Sequence, residues 1–280
     1  MRKYGIPYKG SKSKIAEDII AVLPSGKRFA DLFGGGFAMS HCALLSGKYE
    51  SVLYNDIDPL LAPFIRDCID GKYNYDRFTP EWISREEFHK RKHTDGYVKY
   101  VWSFGNNGRD YLWGENLEEI KRKGHEYCVH GVSFDGIPVY PESIKQRRLR
   151  LKEIARQQKH RADLQQLEAT ERLQQLERLE QLERLELCSF DYRQYEYKNG
   201  DVVYCDIPYE NTNKYDAPFD TAAFLDWVAS RPYPVYISSY EINDPRFTCL
   251  WEKEKRVTMA SASNSRIATE RLYVNKHSSP

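Results

Sequence analysis

Along the chain, short apolar runs of strand length alternate with longer segments of helical spacing. Arg28–Asp31, Ser51–Asn55, Val202–Cys205 and Pro234–Tyr240 are compact runs rich in β-branched and aromatic residues, and Leu185–Tyr192 reads as another strand. Between or beside them, Ile15–Leu23, Ala38–Leu45 and Thr221–Ser230 carry helical spacing. Leu250–Val257 and Arg271–Val274 add strands near the end, with a Ser/Asn-rich loop over 260–265 between them. Such alternation predicts an α/β protein built on a largely parallel sheet. From about residue 68 to 150 the periodicity fades, and aromatic, glycine and charged residues mix. An insertion of different construction is expected there.

Several strands end in acid. The run Val202-Val203-Tyr204-Cys205 passes into Asp206-Ile207-Pro208-Tyr209, which joins a carboxylate, a backbone carbonyl beside a rigid proline, and an aromatic ring. Ligands of open α/β sheets bind outside the carboxyl ends of the strands. There, Asp206 and the Ile207 carbonyl could each accept a hydrogen bond from an exocyclic NH2 while Tyr209 stacks on a purine. An ordinary Asp–Pro turn is the plain alternative for the same four residues.

Two further segments alter the balance. Asp31-Leu32-Phe33-Gly34-Gly35-Gly36-Phe37 places glycines between a strand and a helix, where backbone can approach a ligand closely. Met39 stands where a dinucleotide fingerprint needs a third small residue, so a nicotinamide cofactor fits poorly. About twenty residues on, Asn55-Asp56-Ile57-Asp58 closes the next strand, at the distance where a carboxylate binds a ribose diol.

Charge adds little globally. With 42 Lys and Arg against 41 Asp and Glu, no overall basic field points to nucleic acid, so any such surface is local. Lys9, Lys12 and Lys14 sit in a Gly/Ser loop before a helix, which is either a solvated loop or an anion-binding one. Residues 145–161 form the most basic run, readable as a solvated helix face or as a phosphate track. Asn106, Asn107 and Arg109 surround a turn in the insertion, which is either decoration or a reader of base edges. Leu164, Leu167, Leu173, Leu176, Leu179, Leu182 and Leu185 fall at steps of three or its multiple. On an α-helix a step of three slips by about 60° each time, so these leucines hold no single face. Either a helix there packs against several neighbours, or it is marginal, or the repeat is not helical; a protruding charged helix within 151–186 is the favoured expectation. Six scattered cysteines without a CxxC spacing point to free thiols and no metal. No apolar run approaches membrane-spanning length and the first residues lack a signal-peptide core, so a cytoplasmic protein is expected.

Taken together, Tyr8-Lys9-Gly10-Ser11-Lys12, Asp31–Gly36, Asn55–Asp58, Phe190-Asp191-Tyr192 and Tyr204–Tyr209 resemble the D12 class, or Dam-like α group, of adenine-N6 DNA methyltransferases. The resemblance covers most of the chain in scattered motifs and leaves out the middle and the leucine repeat. It implies a Rossmann-like methyltransferase sheet with an inserted target-recognition domain, and S-adenosylmethionine as cofactor. The parts would be 1–67 and 187–280 for the methyltransferase domain, 68–150 for recognition, and 151–186 for the basic, leucine-repeat segment.

By motif, the resemblance implies cofactor contacts from Tyr8, Lys12, Asp31, Phe33, Gly34, Gly35, Gly36, Asp56, Phe190 and Asp191. It makes Asp206, Ile207, Pro208 and Tyr209 the catalytic motif, acting on an adenine flipped from double-stranded DNA. Lys9, Lys14, Asn106, Asn107 and Arg109 are the candidates for DNA contact. Two departures stand out: Ile207 replaces the first proline of the family's DPPY, and Phe37 replaces the last glycine of its FxGxG. The resemblance further implies a monomer or weak dimer in a bacterial or phage-infected cell, with room for a partner restriction endonuclease. RNA adenine or protein glutamine methylation, and a catalytically inactive cofactor-binding recognition protein, are the alternatives.

Overall fold

The computed structural model describes residues 3–157, 164–180, 182–208, 219–258 and 265–276. The chain forms two compact units. One is Met1–Gly5, Lys12–Ala62 and Gln181–Pro280; the other is Ile6–Ser11 and Pro63–Glu180.

The first unit is a seven-stranded sheet. Its strands are β1 (Gly26–Asp31), β2 (Tyr49–Asn55), β3 (Leu185–Cys188), β4 (Asp201–Asp206), β5 (Val235–Ser239), β6 (Phe247–Thr258) and β7 (Ser265–Asn275). They lie in the order β3-β2-β1-β4-β5-β7-β6. All neighbours from β3 to β5 are parallel, and β7 runs antiparallel to both β5 and β6. The chain winds outward from β1 through β2 to β3 on one side and from β4 to β5 on the other. The strand order therefore reverses between β1 and β4, and their carboxyl ends flank the crevice where such sheets bind ligands. The register sets Asp31 beside Tyr204, two residues short of Asp206.

The core strands read as continuous apolar runs because both faces are covered. Ala30, Val203, Cys205, Val235 and Ile237 are fully buried with Phe224 and Val228 of the helix Thr221–Ala229. The strand expected over 185–192 ends at Cys188, because the next residues turn to reach Asn55: the Phe190 amide donates to its Oδ1.

The second unit is helical, with helices Arg85–Arg91, Gly96–Val101, Glu115–His130, Ile144–Gln157 and Gln165–Leu173. Local signals start two of them. Ser84 and Glu87 form a capping box, and the Asp95 side chain accepts from the Val98 amide. Tyr127, Cys128, Leu151, Leu164 and Leu167 make its core.

The leucine repeat is not the protruding helix expected. Among the described residues it is a short α-helix, Gln165–Leu173, then single 3-10 turns at Leu176–Arg178 and Leu182–Arg184. Leu164, Leu167, Leu173, Leu176 and Leu179 are buried. A 3-10 turn has three residues per turn, so a spacing of three that winds round an α-helix returns to one face there. The basic run is likewise turned inward. Arg147 donates to the Cys128 and Glu142 carbonyls, Arg148 makes a two-pronged pair with Glu171, and Arg150 and Lys152 pair with Glu142 and Glu168. Those four of the run's eight cations serve the unit's own packing, which removes half of the phosphate track; Lys145 and Arg156 are exposed, and Lys159 and Arg161 lie outside the described residues.

Candidate active site

At the end of β4, Asp206 is braced by a lysine from far away in sequence. Lys12 Nζ lies 2.5 Å from Asp206 Oδ1 and 3.6 Å from Glu270 Oε1 on β7. Lys12 is only 3% exposed. Burial alone would lower the pKa of its ammonium, but Asp206 and Glu270 together hold it above the usual lysine range. Ile207, in place of the family's proline, buries its side chain in the sheet core. The exchange offers apolar burial where proline would offer a fixed φ. Pro208 follows half-buried, while Tyr209 and the loop Asn211–Asp216 lie outside the described residues.

The glycine loop follows β1. Gly34 donates its amide to the Asn55 carbonyl, and a Cβ there would lie 2.2 Å from the Tyr54 ring. The need for glycine at that position is thus met by packing against β2. Gly35 has a φ of 44° and donates to Asp56 Oδ2, while Tyr54 donates its hydroxyl to the Gly35 carbonyl. Gly36 presents its carbonyl to Gly5, whose missing Cβ would fall 2.1 Å from it. Phe37 has a φ of 66°, in the left-handed region that favours glycine. Such a conformation costs an ordinary residue about 1–2 kcal/mol. It is held by burial of the ring, stacked on His41 and set edge-on to Tyr54.

Asp31 ends β1 almost fully buried. Its Oδ2 accepts from Ser40, and its Oδ1 has no hydrogen-bond partner among the described residues. Burial pushes its carboxyl up to about 7; Ser40 works the other way, and nearby Asp206 and Asp56 add to the rise. Asp56, half-buried at the end of β2, also accepts the Asp58 amide. Phe33 packs against Tyr192, Phe219 and Phe224. Phe190 has its ring against the core, and Asp191 turns to Arg193, which lowers its carboxyl pKa.

Two contributors escaped the sequence reading. Buried Asn55 donates to the Leu32 and Phe190 carbonyls and accepts the Phe190 amide, tying together the carboxyl ends of three strands. Its only sequence signal is a polar residue at the end of an apolar strand. Ile57, 66% exposed beside Asp56, is a large apolar side chain left on the surface just past the carboxyl end of β2.

The remaining candidates belong to the helical unit, apart from Lys14, which belongs to the sheet unit. Tyr8 packs against Tyr100, and the exposed Lys9 donates its amide to the Asn106 carbonyl. Asn106 donates its side-chain amide to Tyr100, and Asn107 accepts the Arg109 and Asp110 amides. Arg109 pairs with Asp110 on the surface. Lys14 is exposed in the sheet unit.

The residues gathered on the sheet unit fit a cationic nucleoside cofactor: acceptors dominate, one buried carboxylate oxygen of Asp31 is unpaired among the described residues, and backbone glycines line the turn. No group of three or more His, Cys, Asp or Glu among the described residues could hold a metal.

Comparison with known proteins bears on this geometry. Over 298 residues the chain is 26% identical to the retron Ec67 DNA adenine methylase of Escherichia coli, covering 96% of this chain and 90% of that one. Two solved structures of the rRNA methyltransferase aviRa from Streptomyces viridochromogenes superpose with TM-scores of 0.35 and 0.34, at 13% and 14% identity. They cover 96% and 95% of this chain and 86% and 85% of theirs, and so loose a superposition says nothing of substrate. The profile of the D12 class N6 adenine-specific DNA methyltransferases matches residues 8–220. With that match spanning the glycine loop, the helical unit and Asp206, the chain belongs to the D12 class of N6 adenine-specific DNA methyltransferases.

Proposed function

We propose that the protein methylates N6 of an adenine at a specific sequence in duplex DNA, with S-adenosylmethionine as donor and the target base swung out of the stack. The observation that carries this reading is Asp206 in direct contact with buried Lys12 at the carboxyl end of β4, beside the glycine loop of β1. N6 of a paired adenine is out of reach inside the helix, so the base must leave it.

S-adenosylmethionine supplies a methyl group on positively charged sulfur, which departs with the bonding electron pair. The chain does the rest. Asp206 and the Ile207 carbonyl accept hydrogen bonds from the amino group and draw its lone pair out of the ring, so that N6 can form the new N–C bond. Asp206 also stands where the proton leaving N6 can be received. Asp56 is the acceptor for ribose hydroxyls, Ile57 offers apolar surface to a purine, and Asp31 is the acceptor for a cationic group. Catalysis of this kind is positioning and polarisation. Tyr209 is the proposed stacking ring.

For DNA, Lys9 and Lys14 are exposed cations. The side-chain amides of Asn106 and Asn107 hold the 105–110 turn in shape; exposed Phe104 would face bases, and Arg109 would do so by exchanging Asp110 for a base edge. A second surface is the Asp135–Gly136 turn, where both residues have positive φ and Val132, Val139 and Tyr140 are exposed. Apolar and aromatic side chains of this sort wedge between or stack on bases.

The test is methyl transfer from labelled S-adenosylmethionine to unmethylated genomic DNA, with Asp206→Ala beside the wild type. N6-methyladenine at one sequence, lost in the variant, is the expected result. Label appearing in RNA or protein but not DNA would move the substrate, and cofactor binding without any transfer would make this a recognition protein.

A further inference from the structure

Two buried charges, Lys12 and Glu270, meet the half-buried Asp206, and the three stand on separate elements of the sheet unit. Lys12 precedes the first helix, Asp206 ends β4 and Glu270 lies on β7. Glu270 is fully buried and its Oε1 accepts a 2.8 Å hydrogen bond from Ser238 Oγ on β5. One ammonium is thus shared by two carboxylates, although Asp206 alone would satisfy its charge. Burying an ion costs several kcal/mol, and apolar residues usually fill such a space with greater stability. The second carboxylate therefore calls for a reason other than packing.

Its position supplies one. An amino group needs Asp206 as an acceptor, hence ionised. Asp206 has acidic neighbours in Asp31 and Glu270, and the Lys12 ammonium is in direct contact with it. Were Lys12 to lose its proton, the contact that aims Asp206 would be lost, and repulsion among the carboxylates would turn it away from the amino group. Glu270 keeps the proton on Lys12 and, through Ser238, keeps the ammonium from swinging away.

We propose that Glu270 is a positioning residue for methyl transfer: held by Ser238, it fixes the Lys12 ammonium against Asp206 and so keeps Asp206 aimed at the N6 amino group. This rests on the reading of Asp206 given above. The groups facing Lys12 are Asp206 from β4, Glu270 from β7 and Tyr240 just beyond β5, with Tyr204 and Asp31 acting on Asp206 itself.

The experiment follows kcat and KM for DNA and S-adenosylmethionine between pH 7 and 10.5 in the wild type, Glu270→Gln and Ser238→Ala. Equilibrium dialysis of labelled S-adenosylmethionine and thermal melting accompany it. Glu270→Gln keeps the shape and the Ser238 hydrogen bond while removing the charge. The expected result is a kcat lowered about tenfold, KM values and cofactor binding within about twofold, and an alkaline limb that lies above the measured range in the wild type and falls inside it in the variant. Ser238→Ala, which keeps the charge but loosens it, lowers kcat less, and it carries the test if Glu270→Gln does not fold.

A kcat that falls only with the folded fraction, with the limb in place, would make Glu270 structural and overturn the proposal. So would a raised KM at unchanged kcat, which would put Glu270 in binding. Absence of transfer by the wild type would instead remove the reading of Asp206, and this inference with it.

Discussion

The sheet unit and the helical unit use the same residue types to opposite ends. In the sheet unit, carboxylates stand at the ends of parallel strands, and their partners leave some of their capacity open: among the described residues, Asp31 keeps an unpaired buried oxygen. In the helical unit, charges are consumed. Arg148 is buried against Glu171, Arg147 is spent on carbonyl groups, and Lys152 and Arg150 are paired. The difference teaches that a charge's place in the fold, more than its density along the chain, decides whether it can do chemistry. Strand ends face a crevice, whereas a basic helix packed on acidic neighbours has less charge left to offer.

The largest test of that contrast exchanges function for stability. Asp206→Asn keeps the shape at the end of β4 and leaves Lys12 paired with Glu270. Methyl transfer should fall by about 10²–10³-fold with the melting temperature little changed. Arg148→Ala should do the reverse. It strands the largely buried Glu171 carboxylate of the helical unit, and should cost about 3–5 kcal/mol of stability in denaturant titrations. Transfer per folded molecule should survive, and the dependence of DNA affinity on salt should keep its slope, since Arg148 neutralises no phosphate.

Asp31 gives a comparable effect of opposite sign. Its carboxyl is raised from 3.8 to about 7, so below pH 4 both folded and unfolded chains hold the proton. Between those values only the folded chain does, and stability falls as pH rises; above about 7 the loss is complete and constant. Asp31→Asn should flatten the fall and stabilise the apo protein near pH 8 by up to about 4 kcal/mol, with weaker cofactor binding as its cost. A gain over the wild type no larger at pH 8 than at pH 4 would show that Asp31 titrates normally.

The smallest effect lies at Phe37. Phe37→Ala loses the buried ring and keeps the strained φ, whereas Phe37→Gly loses the ring and the strain together. Chemical denaturation should find Phe37→Gly more stable than Phe37→Ala by about 1 kcal/mol, the reverse of their order within a helix. Equal stabilities would mean that the αL conformation at residue 37 carries no cost.

How much of this was legible from sequence follows the same division. Strand runs ending in acid identified β1, β2 and β4 and put Asp31, Asp56 and Asp206 at the right edge of the sheet, because buried parallel strands leave a local signature. The helix after the glycines was legible for the same reason. Hidden were the residues whose roles depend on distant partners. Glu270 reads as one acid in a polar stretch until β7 brings it to Lys12, and Asn55 reads as a turn residue until it joins three strand ends. The leucine repeat misled because a period of three is wrong for an α-helix and right for 3-10 turns, a choice made by packing. The basic run misled because counting cations does not reveal their pairing. Glycine at 34 looked like a ligand contact and is also required by the Tyr54 ring.

The brace between Lys12 and Asp206 has a consequence for the protein's birth. Its two residues are 194 positions apart, and Glu270 comes later still. At about 5–20 residues per second, a ribosome takes roughly 10–40 s to pass from one end of the brace to the other. Through that interval the lysine has no carboxylate to meet and stays hydrated, while β1 and β2 and the whole helical unit emerge. The proposed acceptor for the target base is therefore completed only after the helical unit has emerged, and a nascent chain halted before β7 would lack the charge balance that Glu270 brings to Lys12.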